Sequence, residues 1–223
     1  NENNLLVPAG ISKVEIAGPG FINITLESAS QGSVVIEILT AGKKYGQGQS
    51  LAGKKINLEF VSANPTGPIH LGHTRWAAVG DSLGRVLSAA GAQVSREFYV
   101  NDRGNQMDLF GQSLRAAALG IDRPENGYHG EYIADLANEI IKKNPEFTKL
   151  DEESSIVAFR EAGYKLQLDL QREVLENFGT HFDTWFSERS LYEDNFFNHT
   201  LDKLKSNGHV YEEEGAVWLR TTD

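Results

Sequence analysis

Two histidines three residues apart, His70 and His73, close the decapeptide Asn64-Pro65-Thr66-Gly67-Pro68-Ile69-His70-Leu71-Gly72-His73. A strand-like run precedes it and a helix-like run follows, so the pair falls on a helix start. Positions i and i+3 share one helix face, and both rings can point at one ligand. A helix start offers unpaired backbone N–H groups and the positive end of the helix dipole, which suits phosphate. Imidazole N–H groups there could donate to phosphate oxygens and stabilise charge on a departing phosphate group. Gly72 lets a ligand approach the backbone closely. A bare pair of this spacing would as readily cap or pack the helix; the Pro65-to-Pro68 turn and the flanking elements favour the ligand. Zinc is a poor fit: the chain has no cysteine, and the Glu of His-Glu-x-x-His is missing. No metal site is expected.

Glu59 lies on the preceding strand, five residues before Asn64. Proline biases its predecessor toward extended geometry, so Asn64 is expected to continue the strand direction. A carboxylate at that strand end could hold a guanidinium or ammonium group through charge-assisted hydrogen bonds. It could equally be a solvated strand-face residue. Asp81, eight residues beyond His73, falls about two helical turns along the same side and is expected to orient a neighbour or neutralise Arg85. Asn101, Asp102 and Gln106 follow a second strand, where substrate contact and plain turn chemistry are both open. Tyr99 could border the same pocket or be buried. Gly48-Gln49-Ser50-Leu51-Ala52-Gly53-Lys54-Lys55 nearly spells a Walker A loop, but Lys55 replaces the required Ser/Thr and the segment precedes its strand.

These residues need elements to hold them. Ile56, Leu58 and Phe60 alternate with Asn57, Glu59 and Val61, a short strand. Val79, Leu83, Val86, Leu87 and Ala90 follow helical periodicity, stopped by Gly91. Residues 94–100 read as a second strand, completing a βαβ unit whose ligand crevice lies at the carboxyl ends of its strands. Upstream, residues 12–27 read as a hairpin around Gly18-Pro19-Gly20. Residues 30–40 fit a helix or a strand, and 41–55 a linker. Past Gly120 the pattern is mostly helical. One stripe runs through Tyr132, Ile133, Leu136, Ala137 and Ile140. A longer one takes Ile156, Phe159, Gly163, Leu166, Leu170, Val174 and Phe178, and a third covers 193–207. The aromatic residues Phe178, Phe182, Trp185, Phe186, Phe196 and Phe197 are expected in the core, and a hairpin is expected from Val210 to Arg220.

Composition narrows the class. The chain has 223 residues, 40% apolar and 23% charged, enough for one core or one domain plus part of another. No apolar run approaches the roughly 20 residues of a membrane span. The absence of cysteine and of a basic, apolar start at Asn1-Glu2-Asn3-Asn4 fits a cytoplasmic location. Net charge is −10, and residues 112–223 carry the whole excess, with twelve Lys/Arg against twenty-two Asp/Glu. That argues against general nucleic-acid binding, so any RNA contact must be local.

The His-Leu-Gly-His core resembles the nucleotide-binding signature of class I aminoacyl-tRNA synthetases. Residues 56–111 resemble the start of the arginyl-tRNA synthetase catalytic domain, through Glu59-Phe60-Val61-Ser62-Ala63-Asn64-Pro65, the His-Leu-Gly-His, Gly80-Asp81 and Tyr99-Val100-Asn101-Asp102-Arg103-Gly104-Asn105-Gln106. The resemblance implies an incomplete α/β, Rossmann-like parallel-sheet domain at 56–223 with a largely helical insertion at about 121–208. Residues 29–55 would be a linker, and 1–28 the end of an N-terminal tRNA-contacting domain. It implies ligation of L-arginine to its tRNA through arginyl-adenylate, with ATP and Mg2+. Glu59 would meet the arginine guanidinium, Ser62 and Asn64 its α-amino and carboxyl end, and Pro68, His70, Gly72 and His73 the ATP. Family members carry a second phosphate-binding loop of the Lys-Met-Ser-Lys-Ser type; the single methionine, Met107, is followed by Asp108, so the chain reads as a fragment expected to be inactive alone. Two other readings stand beside it: a small-molecule nucleotidyltransferase with the same signature, and a catalytically dead RNA-binding module.

Overall fold

The computed structural model describes residues 10–221, and expectations falling on 1–9 and 222–223 lie outside the described residues. The chain divides into two units. The first runs to Ala52 and includes Ala89–Gly91; the second holds Gly53–Ser88 and everything from Ala92 onward. In the first unit, strands β1 (Ile11–Ile16) and β2 (Ile22–Leu26) pair antiparallel around Gly18 and Gly20, both at positive φ. The segment that fitted helix or strand is helix α1 (Ser28–Ala41), ended by Gly42 at φ 53° and followed by a short 3₁₀ turn.

The second unit is built on a parallel sheet of order β3-β4-β5: β3 (Lys55–Glu59), β4 (Gln93–Val100) and β5 (Thr184–Ser187). Helices flank it, giving the expected Rossmann-like fold with a helical insertion. The carboxyl ends of all three strands, at Glu59, Val100 and Ser187, share one edge. Strand β5 interrupts the largely helical stretch 121–208, in which no strand was expected. Four residues, three of them Thr, Trp and Phe, carry too little alternation to reveal a strand, yet Tyr99 pairs with Phe186 and Val100 with Ser187.

Helix α2 (Leu71–Ala89) crosses from β3 to β4, and its buried face also differs from expectation. Ala77, Gly80 and Gly84 face inward, while Val79, Leu83 and Val86 are exposed. The sheet approaches so closely that a Cβ on Gly80 would sit 2.2 Å from the Phe60 ring. Apolar periodicity overlooks glycine, and glycine is what this packing requires. Phe98 then stacks on Trp185 and meets Phe182 edge-on, while Phe60 packs tilted against Phe182, with ring centroids 4.2–5.3 Å apart.

The insertion has its own core. Helices α3 (Asn105–Leu119), α4 (Glu131–Lys143) and α5 (Glu152–Asn177) bury Met107, Phe110, Leu114, Ile133, Leu136, Ile140 and Phe159 among themselves. Each fully buried aromatic or aliphatic side chain contributes about 1.5–3 kcal/mol. The α4 stripe matches expectation. Along α5 the buried face drifts: Gln167, Leu168, Gln171 and Leu175 are inside, and Leu170, Val174 and Phe178 are exposed. The cause is a change of partner along its 26 residues, from α3 at Phe159 and Gly163 to the sheet's own core at Leu168 and Leu175. Short helix α6 (Ser190–Glu193), helix α7 (Phe196–Ser206) and the hairpin β6 (Val210–Glu213) with β7 (Ala216–Leu219) follow. Phe196 and Phe197 are exposed, so the aromatic core stops short of them. Among the described residues, no helix is long and apolar enough to cross a membrane.

Candidate active site

Strand β3 ends in a sharp turn. The Ser62 N–H donates to the Phe60 carbonyl, and both Val61 and Ser62 have positive φ, 65° and 43°. A β-branched residue rarely adopts that conformation. The chain therefore turns away at Val61, and Asn64 does not continue the strand direction. The turn places Ser62 Oγ between two groups: it accepts from the Tyr99 N–H at 3.0 Å and donates to Glu59 Oε1 at 2.9 Å. One hydroxyl thus fixes the exposed Glu59 carboxylate against the end of β4. Asn64 Nδ2 donates to Gln106 Oε1 at 2.7 Å, joining the turn to the start of α3.

Helix α2 begins with both imidazoles engaged. His70 Nδ1 accepts from the Gly72 N–H at 3.1 Å, and His73 Nδ1 accepts from the His70 N–H at 3.3 Å. The rings stack with centroids 3.7 Å apart. An acceptor Nδ1 carries no proton, so each neutral ring has its hydrogen on Nε2, free to donate outward. Burial, and then the neighbouring His70, hold the His73 imidazole below its ordinary value of 6.5. The pair is a neutral, double-donor surface on the positive end of a 19-residue helix.

The remaining candidates hold the frame. Asp81 pairs with Arg85 and faces Arg96 Nε at 4.0 Å, on the sheet side of α2. Asp102 is buried: its Oδ2 accepts from Tyr164 Oη at 2.9 Å and Ser187 Oγ at 2.6 Å, and its Oδ1 from the Arg189 N–H at 3.2 Å. Arg189 also donates to both carboxylate oxygens of Glu161. Burial raises the Glu161 carboxyl, but the hydrogen bonds from Arg189 and Arg160 outweigh it, and its pKa falls. Burial and the bond to Asp102 push the Tyr164 hydroxyl up to about 12. This network ties the ends of β4 and β5 to α5. Tyr99 is half-buried against Phe186, its hydroxyl raised by burial and then by Glu188. Asn101 and Pro68 are exposed.

Sequence reasoning missed two residues that reach the 64–67 turn. Tyr132 Oη donates to the Thr66 carbonyl at 2.9 Å. Gln171 Nε2 donates to the carbonyls of Asn64 and Gly67, at 2.9 and 2.7 Å. The available signal was Gln167 and Gln171, two amides one turn apart in a helix whose far side is polar already.

A family model described as "tRNA synthetases class I (R), catalytic domain" matches residues 34–222. The chain belongs to this family. An arginine--tRNA ligase of Renibacterium salmoninarum is 50% identical over 214 residues, covering 96% of this chain and 39% of the relative. Another, from Micrococcus luteus, is 47% identical over 214 residues. A crystal structure assigned as an arginyl-tRNA synthetase from Campylobacter jejuni superposes with a TM-score of 0.75 at 36% identity, over 87% of this chain and 43% of that one. The Thermus thermophilus arginyl-tRNA synthetase, at 20% identity and TM-score 0.57, shares the fold. The chain spans about two fifths of the length of the curated relatives it matches.

In this synthetase domain Gly72 has a specific steric task. A Cβ there would lie 3.0 Å from His70 Cε1 and 3.2 Å from its Nδ1. Gly72→Ala is expected to rotate the His70 ring and break its bond to the Gly72 N–H. Thermal stability should change little, because alanine's helix preference of up to about 1 kcal/mol over glycine offsets the loss of the His70 cap. Melting curves beside the imidazole resonances of His70 separate the two effects.

Proposed function

We propose that the full-length protein ligates L-arginine to its tRNA, and that this chain carries the part of the site that binds arginine and one side of ATP. The observation that carries the reading is the pair of stacked imidazoles at the α2 N-terminus, each accepting a backbone N–H at Nδ1, in the same β3–α2 connection as a carboxylate held by Ser62 at the carboxyl edge of a parallel sheet. The family match and the names of the relatives support it.

Pro68, His70, Gly72 and His73 line the nucleotide, and Mg2+ enters with its phosphates. Glu59 takes the guanidinium of arginine, while Ser62 and Asn64 serve its α-amino and carboxyl end. Asp81, Tyr99, Asn101, Asp102 and Gln106 support the crevice. An arginine carboxylate oxygen attacks the α-phosphorus in line; the bond to the bridging oxygen breaks, and pyrophosphate leaves with the electron pair. The imidazole N–H groups stabilise that departing charge, so catalysis rests on positioning and electrostatics. A terminal ribose hydroxyl of the tRNA then attacks the adenylate carbonyl, releasing AMP. Translation places this activity in the cytoplasm. Residues 1–28 would belong to an N-terminal tRNA-contacting domain and 56–223 to the catalytic domain; of the 29–55 stretch, Ser28–Ala41 is helix α1, which leaves only the part after it as a linker.

Charging of arginine-accepting tRNA by the full-length protein tests the assignment, and its pH dependence tests the histidines. Protonating His73 turns Nδ1 from acceptor to donor and breaks its bond to the His70 N–H. Because the folded value lies below 6.5, the stabilisation is complete above that pH and is lost as pH falls through the lowered value. Charging is expected to be flat from pH 7.5 to 6.5 and to decline only in more acidic buffer. A decline already complete at pH 7 contradicts this.

A further inference from the structure

The helical insertion acts directly on the signature turn. Three backbone carbonyls, at Asn64, Thr66 and Gly67, all receive side-chain hydrogen bonds from it: two from Gln171 of α5 and one from Tyr132 of α4. These carbonyls belong to a turn with no ladder of its own, between β3 and α2. The donors come from helices that share the insertion core, through Ile133, Leu136 and Phe159. We propose that Tyr132 and Gln171 are positioning residues: they clamp the Asn64–Gly67 turn and set the distance between the Glu59–Ser62 pair and the histidines of α2.

Three observations carry this. Gln171 is almost wholly buried, and its Oε1 has no partner among the described residues. An unpaired buried acceptor costs about 1–3 kcal/mol, so packing alone would favour an apolar residue at 171. Both Nε2 hydrogens are spent on the turn, which also fixes which end of the amide is nitrogen. An open cleft of about 490 Å³ borders Pro68 and Ile69, walled by Tyr132, Leu136, Leu166 and Leu170, so this face of the turn is less closely packed than Ala63, Pro65 and Thr66 and depends more on its hydrogen bonds. Burial also pushes the Tyr132 hydroxyl up to about 12, which keeps its donor proton in place at any working pH.

The kinetic half of this proposal rests on the arginine-ligase reading; the clamp itself does not. The test uses the full-length protein carrying Tyr132→Phe, Gln171→Met, and both. Hydrogen exchange by mass spectrometry compares peptides from 64–70 with peptides from α3. The His70 amide, the bonded N–H of that segment, is expected to exchange at least about tenfold faster in the double variant, with α3 unchanged, since local opening and global unfolding are separable. The kcat for pyrophosphate exchange should fall about tenfold in each single variant, with the melting temperature lowered by only a few degrees, the cost of the stranded carbonyls. Equal acceleration of the His70 amide and α3, or no acceleration of the His70 amide, overturns the clamp. Should Gln171→Met fail to fold, Tyr132→Phe alone decides by the same comparison. Absence of arginine-dependent exchange in the unmutated protein would overturn the functional reading and leave the exchange result to judge the clamp.

Discussion

Replacing His70 with alanine in the full-length protein is expected to lower kcat for arginine-dependent pyrophosphate exchange about 10²- to 10³-fold, with both KM values within a few-fold of the parent. The magnitude is that of one preorganised donor removed from a site of developing charge. His70 has two tasks here, and the substitution removes both. Its Nδ1 accepts the Gly72 N–H and caps α2, while its Nε2–H faces outward. Loss of a helix cap costs about 1 kcal/mol of stability and would not by itself slow chemistry a hundredfold. His70→Asn separates the tasks, because asparagine is a good cap and lacks a donor at the Nε2 position. Stability should recover in that variant and kcat should not. Recovery of kcat with the cap would show that His70 is structural.

Glu59→Gln is the second large effect. The amide keeps the size of the side chain and can still accept from Ser62 Oγ, so the local geometry survives. What disappears is the charge. Hydrogen bonds to charged groups contribute about 1.5–3 kcal/mol, which predicts an arginine KM raised about 10- to 100-fold with the ATP KM nearly unchanged. A matching rise for ATP would mean that the substitution disturbed the turn, and comparable small changes in both would remove Glu59 from the arginine site.

How much of this was readable in the residues differs from element to element. The hairpins, the βαβ unit and the α4 stripe follow from short-range patterns, and the structure has them. Strand β5 was not readable, because four aromatic-rich residues match a strand and a helical core equally well. The inward face of α2 was misread because contact through Gly80 and Gly84 leaves no apolar signature. At the candidate site, the histidines were legible from spacing and from the helix start. The Ser62 bridge was not, since it depends on positive φ at Val61, against that residue's own preference. The clamp was less legible still. Tyr132 and Gln171 lie 66 and 107 residues from the carbonyls they hold at Thr66 and Asn64, and only the packing of α4 and α5 brings them there.

In the proposed function, Glu59 and the two histidines serve one reaction, activation of an amino acid with a cationic guanidinium. Pyrophosphate exchange by the full-length protein, with its tRNA present, tests this when L-arginine is compared with L-citrulline, which keeps the shape and loses the charge. Exchange is expected with arginine, and none measurable with citrulline. Equal exchange with both, or exchange supported by neither, would contradict it.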